Sequence, residues 1–148
     1  EMQAAIGRIQ LTRMDKWNSI RLSNAHKIWK VARKCKALRV PKLPSHINHA
    51  AYKCYVFIRH AELKNEWTRD QIIQELNTQD VPCFVGSCSE VYLEKAFDDT
   101  TFRPIERLPV ARDLGETSLM FLVHPTLTKN EIDKTCNVLL ETMKKASK

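Results

Sequence analysis

Residues 52–58, with the sequence YKCYVFI, are the stretch that decides the fold of this 148-residue chain. The stretch is rich in aromatic and β-branched residues, a composition that is typical of a buried β-strand. Two shorter apolar runs, residues 83–85 and residues 119–123, predict two further strands. The sequence therefore predicts a sheet of three strands.

Long helices are predicted around these strands. Residues 2–37 contain no proline and their apolar residues recur at helical spacing, which predicts one long helix or two helices that join near Ser23 and Asn24. Residues 68–71 (TRDQ) and 128–131 (TKNE) match the capping box, so we expect a helix to start at each. Helices and strands in this order predict a small α+β fold.

The segment between the second and third predicted strands is expected to hold two short helices. Residues 87–90 (SCSE) also match a capping box, which predicts a short helix over residues 91–97. Residues 98–109 are predicted to be a loop. A second short helix over residues 110–114 is expected to end at Gly115, because glycine is common just after a helix.

The net charge of +7 is concentrated in one part of the chain. Residues 1–42 contain eleven Lys and Arg residues and two acids, a net charge of +9, whereas the other 106 residues carry a net charge of −2. Clustered bases can bind nucleic acid. However, these bases are spread around the predicted helix, and no helix-turn-helix or zinc-finger pattern is present. A helix that faces solvent or another domain is therefore favoured over nucleic-acid binding.

Composition excludes several classes of protein. The three glycines are far apart, so they cannot form the glycine-rich loop that binds phosphate in nucleotide-binding proteins. No apolar run is long enough to cross a membrane, and no signal peptide is recognisable. Five cysteines at irregular spacing indicate free thiols in a reducing compartment, so we expect a cytoplasmic protein without membrane contacts.

Cysteine and histidine residues do not match a metal or nucleophile motif. The spacing of Cys83, Cys88 and His124 is wrong for a zinc knuckle, so no metal site is predicted. Cys54 or Cys88 could act as a nucleophile beside His49 or His124, but no local signature supports such a pair. Inert buried thiols are the favoured interpretation.

Polar residues at the ends of the apolar strands are the candidate binding groups. His49 and Tyr52 lie at the start of the first strand, Ser87 follows the second, and His124 follows the third. Strand ends and the loops after them are common ligand-binding positions in small domains. For any one of these residues alone, an ordinary turn or cap is the favoured interpretation.

The first eleven residues, EMQAAIGRIQL, resemble the E-[LM]-Q-A-A-[IL]-G-x-x-Q-L signature of the DegT/StrS family of sugar aminotransferases. Weaker matches follow in the family's order at residues 17–21, 49–56, 108–111 and 124–128. Together they cover essentially the whole chain. They correspond to the C-terminal small domain of that family and to the helix that leads into it.

The resemblance implies part of a pyridoxal-phosphate enzyme of the aspartate-aminotransferase fold type. Such enzymes are usually dimers that transfer an amino group, commonly from glutamate, to a keto group on a nucleotide-linked sugar. Residues 1–40 would be the connecting helix region and residues 41–148 the small α+β domain, with a mainly antiparallel three-stranded sheet.

The resemblance also implies what this chain lacks. In the family, the lysine that forms the Schiff base lies in the large cofactor-binding domain, which these residues do not match. No lysine here is therefore predicted to be catalytic. We expect this chain alone to bind no pyridoxal phosphate and to catalyse no transamination.

The site residues implied by the resemblance are His49, Tyr52, Ser87 and His124. His49 and Tyr52 keep the family pattern and are expected to reach toward the cofactor or the sugar. Ser87 lies in residues 86–92 (GSCSEVY), where family members commonly read H-Y-P-x-P-L-H, so this segment departs from the pattern. The sugar is therefore not predictable.

A different hypothesis is that the chain is a basic helical adaptor, without enzymatic activity, that binds nucleic acid or an acidic protein. The aminotransferase interpretation makes its own prediction about the first helix. Separated from a large domain, residues 2–20 would expose Ile6, Ile9, Met14 and Trp17, and the chain would self-associate through them.

Overall fold

The computed structural model describes residues 1–148 and begins with one long helix, α1 (Met2–Ala32). The other elements follow in an order that mixes helices and strands: β1 (Leu38–Arg39), β2 (Cys54–Ile58), α2 (Arg69–Thr78), β3 (Cys83–Phe84), α3 (Pro109–Thr117), β4 (Ser118–Phe121) and α4 (Lys129–Ala146). Short 3₁₀ helices occupy His60–Glu62, Val91–Leu93 and Lys95–Phe97. The predicted α+β class is confirmed.

The sheet has four strands in the order β1-β2-β4-β3, and every neighbouring pair is antiparallel. The prediction of three strands is wrong because it omits β1. This strand has only two residues, and it exists through pairing of Leu38 with Ile58 and of Arg39 with Phe57. A two-residue strand is too short to show a periodic hydrophobic pattern.

Strand β2 lies inside the sheet and separates its two faces. Cys54, Val56 and Ile58 are buried on the core side, where α1, α2 and α4 pack, whereas Tyr55 and Phe57 are half-buried on the opposite side. This alternation follows from the two-residue repeat of side chains along a strand. The core side of the sheet is the centre of a cluster of 24 buried apolar residues.

Helix α1 is continuous, so the alternative of two helices that join near Ser23 and Asn24 is excluded. Only its second half packs into the core, where Ala25, Ile28 and Ala32 are fully buried. Its first half exposes apolar side chains, as the sequence predicted for Ile6, Ile9 and Met14; Trp17 is half-buried. Met2 and Leu11 are also exposed.

The capping boxes at the starts of α2 and α4 are confirmed. The Thr68 and Thr128 hydroxyls accept hydrogen bonds from backbone N–H groups three residues later, and the side chains of Gln71 and Glu131 return a bond to each cap residue. Such reciprocal bonds satisfy N–H groups that have no partner within the helix. These bonds define the first residue of each helix.

The segment between β3 and β4 differs from its prediction. The pattern at residues 87–90 does not cap a helix, and two 3₁₀ turns replace the helix expected over residues 91–97. Helix α3 continues through Gly115 to Thr117. Gly115 is therefore an interior residue of α3, packed beside the Ser89 side chain, and does not terminate the helix.

None of the helices combines the length and the apolar character that a bilayer crossing requires. All five cysteines are free, and only Cys88 is exposed.

Candidate functional site

The end of the sheet where β2 begins carries most of the predicted site residues. Because β2 and β4 are antiparallel and Cys54 pairs with Phe121, the residues before β2 and those after β4 meet at this end. His49 and Tyr52 precede β2, and His124 follows β4. We call this end of the sheet the rim; it comprises Arg21, Asn24, His49, Tyr52 and His124.

His49 stabilises the turn that leads into β2. Its Nδ1 accepts a hydrogen bond from the Ala51 backbone N–H at 2.9 Å, and its ring meets the Trp29 ring edge-on at 6.5 Å between centroids. Ala51 has a φ of +47°, a left-handed conformation that is uncommon for a residue with a Cβ. The His49 side chain therefore supports a strained backbone next to Tyr52, and its Nε2 makes no hydrogen bond.

Tyr52 is an exposed aromatic residue of the rim, with 70% of its surface accessible. The Arg21 guanidinium lies over its ring, 5.5 Å from the centroid, a cation–π contact. The contact orients the phenol without engaging its hydroxyl group. Tyr52 thus presents a hydroxyl and an aromatic face to whatever approaches the rim.

Helix α1 adds two polar groups that lack partners. The Arg21 Nε and the Asn24 Nδ2 are both buried without a hydrogen-bond partner, and Asn24 as a whole is only 6% exposed. The two residues lie one helical turn apart, so their side chains share one face of α1. Buried donors are nearly always satisfied in folded proteins, so these two atoms are local exceptions on the face of α1 next to Tyr52.

His124 has a local role in the turn before α4. Its Nδ1 shares a hydrogen bond of 2.7 Å with the Thr126 hydroxyl and lies 3.4 Å from the Thr126 backbone nitrogen. The strand register places it at the rim. No hydrogen bond or ring contact joins it to His49 or Tyr52.

Ser87 lies away from the rim, on the outer face of the sheet. Its hydroxyl is 3.2 Å from the Tyr55 hydroxyl, and its backbone N–H donates to the same oxygen at 3.3 Å. Gly86, with a φ of +94°, lets the chain pass directly beside the Tyr55 ring, since a Cβ there would lie 2.5 Å from Cε1. The four predicted residues therefore occupy two places, and only three of them share the rim.

A charged network holds the segment that follows Ser87. The Glu90 carboxylate accepts hydrogen bonds from the Arg107 guanidinium and, at 2.7 Å, from the Tyr92 hydroxyl, which in turn accepts from the Leu108 backbone N–H at 2.9 Å. The hydrogen bond from Arg107 is the largest influence in lowering the pKa of Glu90 to about 2. Glu90 is therefore ionised at neutral pH and joins both ends of the loop between β3 and α3.

The buried cysteines are poor nucleophiles. Burial raises the pKa of Cys54 far above its usual range and that of Cys83 to about 12. A thiol is reactive as the thiolate, so both are inert at neutral pH. Cys88 is exposed, but its sulfur lies 3.6 Å from a Glu94 carboxylate oxygen rather than beside a histidine. The structure thus assembles none of the Cys–His pairs considered from the sequence.

Sequence reasoning missed three residues that shape these places: Arg21, Asn24 and Tyr55. Arg21 lies in a matched motif, but its stacking on Tyr52 joins residues that are distant in sequence. Asn24 could have been noticed as a polar residue on the apolar face of the helix. The alternation of side chains along β2 predicts that Tyr55 lies on the face opposite Cys54. It does not predict the contact of Tyr55 with Ser87.

The family model for the DegT/DnrJ/EryC1/StrS aminotransferase family matches residues 1–140. Among solved structures, the chain is similar to the aminotransferase from Psychrobacter cryohalolentis, with 51% identity and a TM-score of 0.92 over 97% of this chain and 38% of that chain. A search of curated proteins finds no match.

Two more distant structures share the fold. DesV from S. venezuelae, solved in complex with a ketimine intermediate, has 20% identity and a TM-score of 0.82 over 96% of this chain and 36% of its own. GDP-4-keto-6-deoxy-D-mannose-3-dehydratase from E. coli, solved with bound hydrated PLP, has 20% identity and a TM-score of 0.73 over 93% and 34%. The chain thus spans little more than a third of the length of these relatives.

Proposed function

The chain belongs to the DegT/DnrJ/EryC1/StrS aminotransferase family, and we propose that it is the C-terminal portion of an aminotransferase acting on a nucleotide-linked keto sugar. The 51% identity with the Psychrobacter cryohalolentis aminotransferase over nearly the whole of this chain carries the proposal. In this assignment residues 1–40 are the connecting helix region and residues 41–148 are the small domain. The complete enzyme is a cytoplasmic homodimer that takes its amino group from a donor such as glutamate.

The rim is the substrate-side surface of this portion. Tyr52 supplies an exposed phenol, and the Arg21 guanidinium orients it by lying over its ring. His49 holds the Ala51 turn that presents Tyr52, which makes it a positioning residue. These groups bind and orient, and none of them forms a nucleophile–base pair.

Pyridoxal phosphate supplies the electron sink for amino transfer in enzymes that bind it. The residues of this chain do not form a site for its phosphate. Gly7 and Gly115 lie inside helices, and the space beside Gly86 is filled by the Tyr55 ring. We therefore assign the phosphate cradle and the Schiff-base lysine to the remaining two-thirds of the enzyme, and we expect this chain alone to be inactive.

A chimera tests the proposal. This chain replaces the matching 38% of the Psychrobacter cryohalolentis aminotransferase, and amino transfer from glutamate to a nucleotide-linked keto sugar is followed by chromatography. We expect kcat/KM within about tenfold of the parent, a difference of about 1.4 kcal/mol. A chimera that folds, dimerises and binds pyridoxal phosphate but transfers no amino group would overturn the proposal.

Variants of the chimera test the rim. Tyr52→Ala is expected to lower kcat/KM by about tenfold or more, because it removes both the phenol and the surface on which Arg21 rests. Phe102→Ala is the matched control, since this aromatic residue is 79% exposed and lies outside the rim. Equal losses in the two variants would argue against a substrate-side role for the rim.

A further inference from the structure

A groove of about 570 Å³ lies between the end of α1, strand β1 and the segment after it. Its apolar lining, which we call the floor, includes Trp29, Leu38, Val40 and Leu43. Its edges carry five basic or histidine side chains and no carboxylate: His26, Arg33, Lys36, Lys42 and Arg59. The volume is within the range of small-molecule sites, roughly 300–1,000 Å³.

The basic side chains come from separate parts of the chain. His26 and Arg33 lie near the end of α1, Lys36 precedes β1, Lys42 follows it, and Arg59 follows β2. Cations near the end of a helix are explained by the helix dipole, and this accounts for Arg33 alone. The dipole does not explain why three further bases from other segments converge on the same groove.

Most of this positive charge has no partner within the chain. Lys36 pairs with Glu62 at 2.8 Å, and Arg59 donates to the Lys36 carbonyl oxygen at 2.9 Å. Arg33 and Lys42 take part in none of the ten ion pairs of the molecule. A cleft lined by charges of one sign concentrates its field and attracts ions of the opposite sign.

The groove extends from Trp29, whose ring contacts His49 of the rim edge-on, to Arg59. Arg59 follows the C-terminal end of β2, whereas His49 and Tyr52 precede its N-terminal end. The groove is a surface for which the family assignment supplies no role.

We propose that this groove is a binding site for a small molecule that carries a diphosphate group. Arg33 can donate two parallel hydrogen bonds to phosphate oxygens, and Lys42 and Arg59, which line the same groove, can neutralise the remaining charge. The apolar floor favours a compact ligand with an uncharged part. An extended nucleic acid would instead need bases along an open face.

Isothermal titration of the 148-residue chain with inorganic pyrophosphate and with ADP tests the site. R33Q/K42Q is expected to weaken binding of both by about tenfold or more, because it removes the two cations without partners. R33K/K42R, which keeps both charges, is expected to retain binding within about threefold. Because both side chains are exposed, thermal unfolding should be unchanged in both variants.

The matched control is R8Q/R13Q, which removes the same charge from the exposed first half of α1. It is expected to leave the affinity unchanged.

The two ligands distinguish which part of the molecule is bound. Equal affinities for pyrophosphate and ADP would show that the groove binds only the phosphates. Tighter binding of ADP would show that the floor also contacts the nucleoside, and both results support the site. No binding of either ligand at millimolar concentration, or equal weakening by R8Q/R13Q, would overturn it. Binding of duplex DNA that R33Q/K42Q and R8Q/R13Q weaken to the same extent would also overturn the proposed site, because it would indicate a diffuse basic surface.

Discussion

The two halves of α1 have opposite surroundings, although no break in the helix separates them. In the second half, Ile28 is fully buried and Trp29 is 2% exposed. The Trp29 indole N–H also donates to the Tyr55 carbonyl oxygen at 3.0 Å, which ties the helix to β2. In the first half, Ile6 and Ile9 are 52% and 53% exposed.

The difference shows that one helix can belong to two structural units. The second half is stabilised by the core of this chain. The first half buries almost nothing here, and isolated helices of about 12–15 residues are marginal in water. Its exposed apolar face fits the proposal that this chain is one portion of a longer aminotransferase.

Ile28→Ala should strongly destabilise the chain. The side chain is fully buried, and truncation of such a residue costs about 2–5 kcal/mol through lost burial and a residual cavity. Ile9→Ala, at a half-exposed position of the same helix, should cost under about 0.5 kcal/mol. Urea unfolding measures both, and equal costs would contradict the contrast between the two halves.

The exposed first half should mediate self-association of the chain. Ile6→Lys with Met14→Lys places two charges on its apolar face and should weaken association by about tenfold or more, which is about 1.4 kcal/mol. Thr12→Lys with Ser19→Lys adds the same charge on the opposite face and should leave association intact. Analytical ultracentrifugation distinguishes the outcomes, and a wild-type chain that stays monomeric at high concentration would refute the prediction.

A threonine that caps a packed helix should contribute more to stability than a threonine in the exposed first half of α1. Thr128 caps α4, whereas Glu1 provides no side-chain cap for α1. Thr128→Ala should therefore cost about 1 kcal/mol. Thr12→Ala, which removes only a hydroxyl bond to the Ile9 carbonyl oxygen, should cost less than half of that. A Thr12→Ala cost equal to that of Thr128→Ala would mean that the first half is held as firmly as the core.

Acid should act on the loop after β3 rather than on α1. The pKa of Glu90 is lowered to about 2, chiefly by the Arg107 hydrogen bond. Its contribution is therefore complete above the unfolded-state pKa, about 4.3, and is lost as the pH falls toward 2. Glu90→Gln should flatten the decline of the urea midpoint over this interval, whereas Glu106→Gln should not. Identical pH profiles for both variants would contradict the role of Glu90.

Local signals in the sequence predicted the elements that local physics determines. The caps at Thr68 and Thr128 depend on residues three positions apart, and β2 and β4 are apolar enough to be recognised alone. Strand β1 was missed because its two residues are ordered only by their partners in β2. For the same reason, the contact of Arg21 with Tyr52 and that of Tyr55 with Ser87 were not predictable.

The site was predictable to a similar extent. The resemblance supplied His49 and Tyr52, and the structure places both at the rim. It could not supply the two buried donors of α1, because their lack of partners is a property of packing. Ser87 lies on a different face, since its position depends on the close approach of Gly86 to the Tyr55 ring.

Hydrogen exchange along α1 tests most directly the claim that this chain is one part of a larger aminotransferase. Exchange is measured in the isolated chain, at a concentration where it is monomeric, and in the Psychrobacter cryohalolentis chimera. The account predicts that residues 21–32 are protected in both proteins and that residues 2–20 become protected only in the chimera, because local opening is easiest where few apolar contacts are made. Strong protection of residues 2–20 in the monomeric chain, or none in the folded chimera, would contradict it.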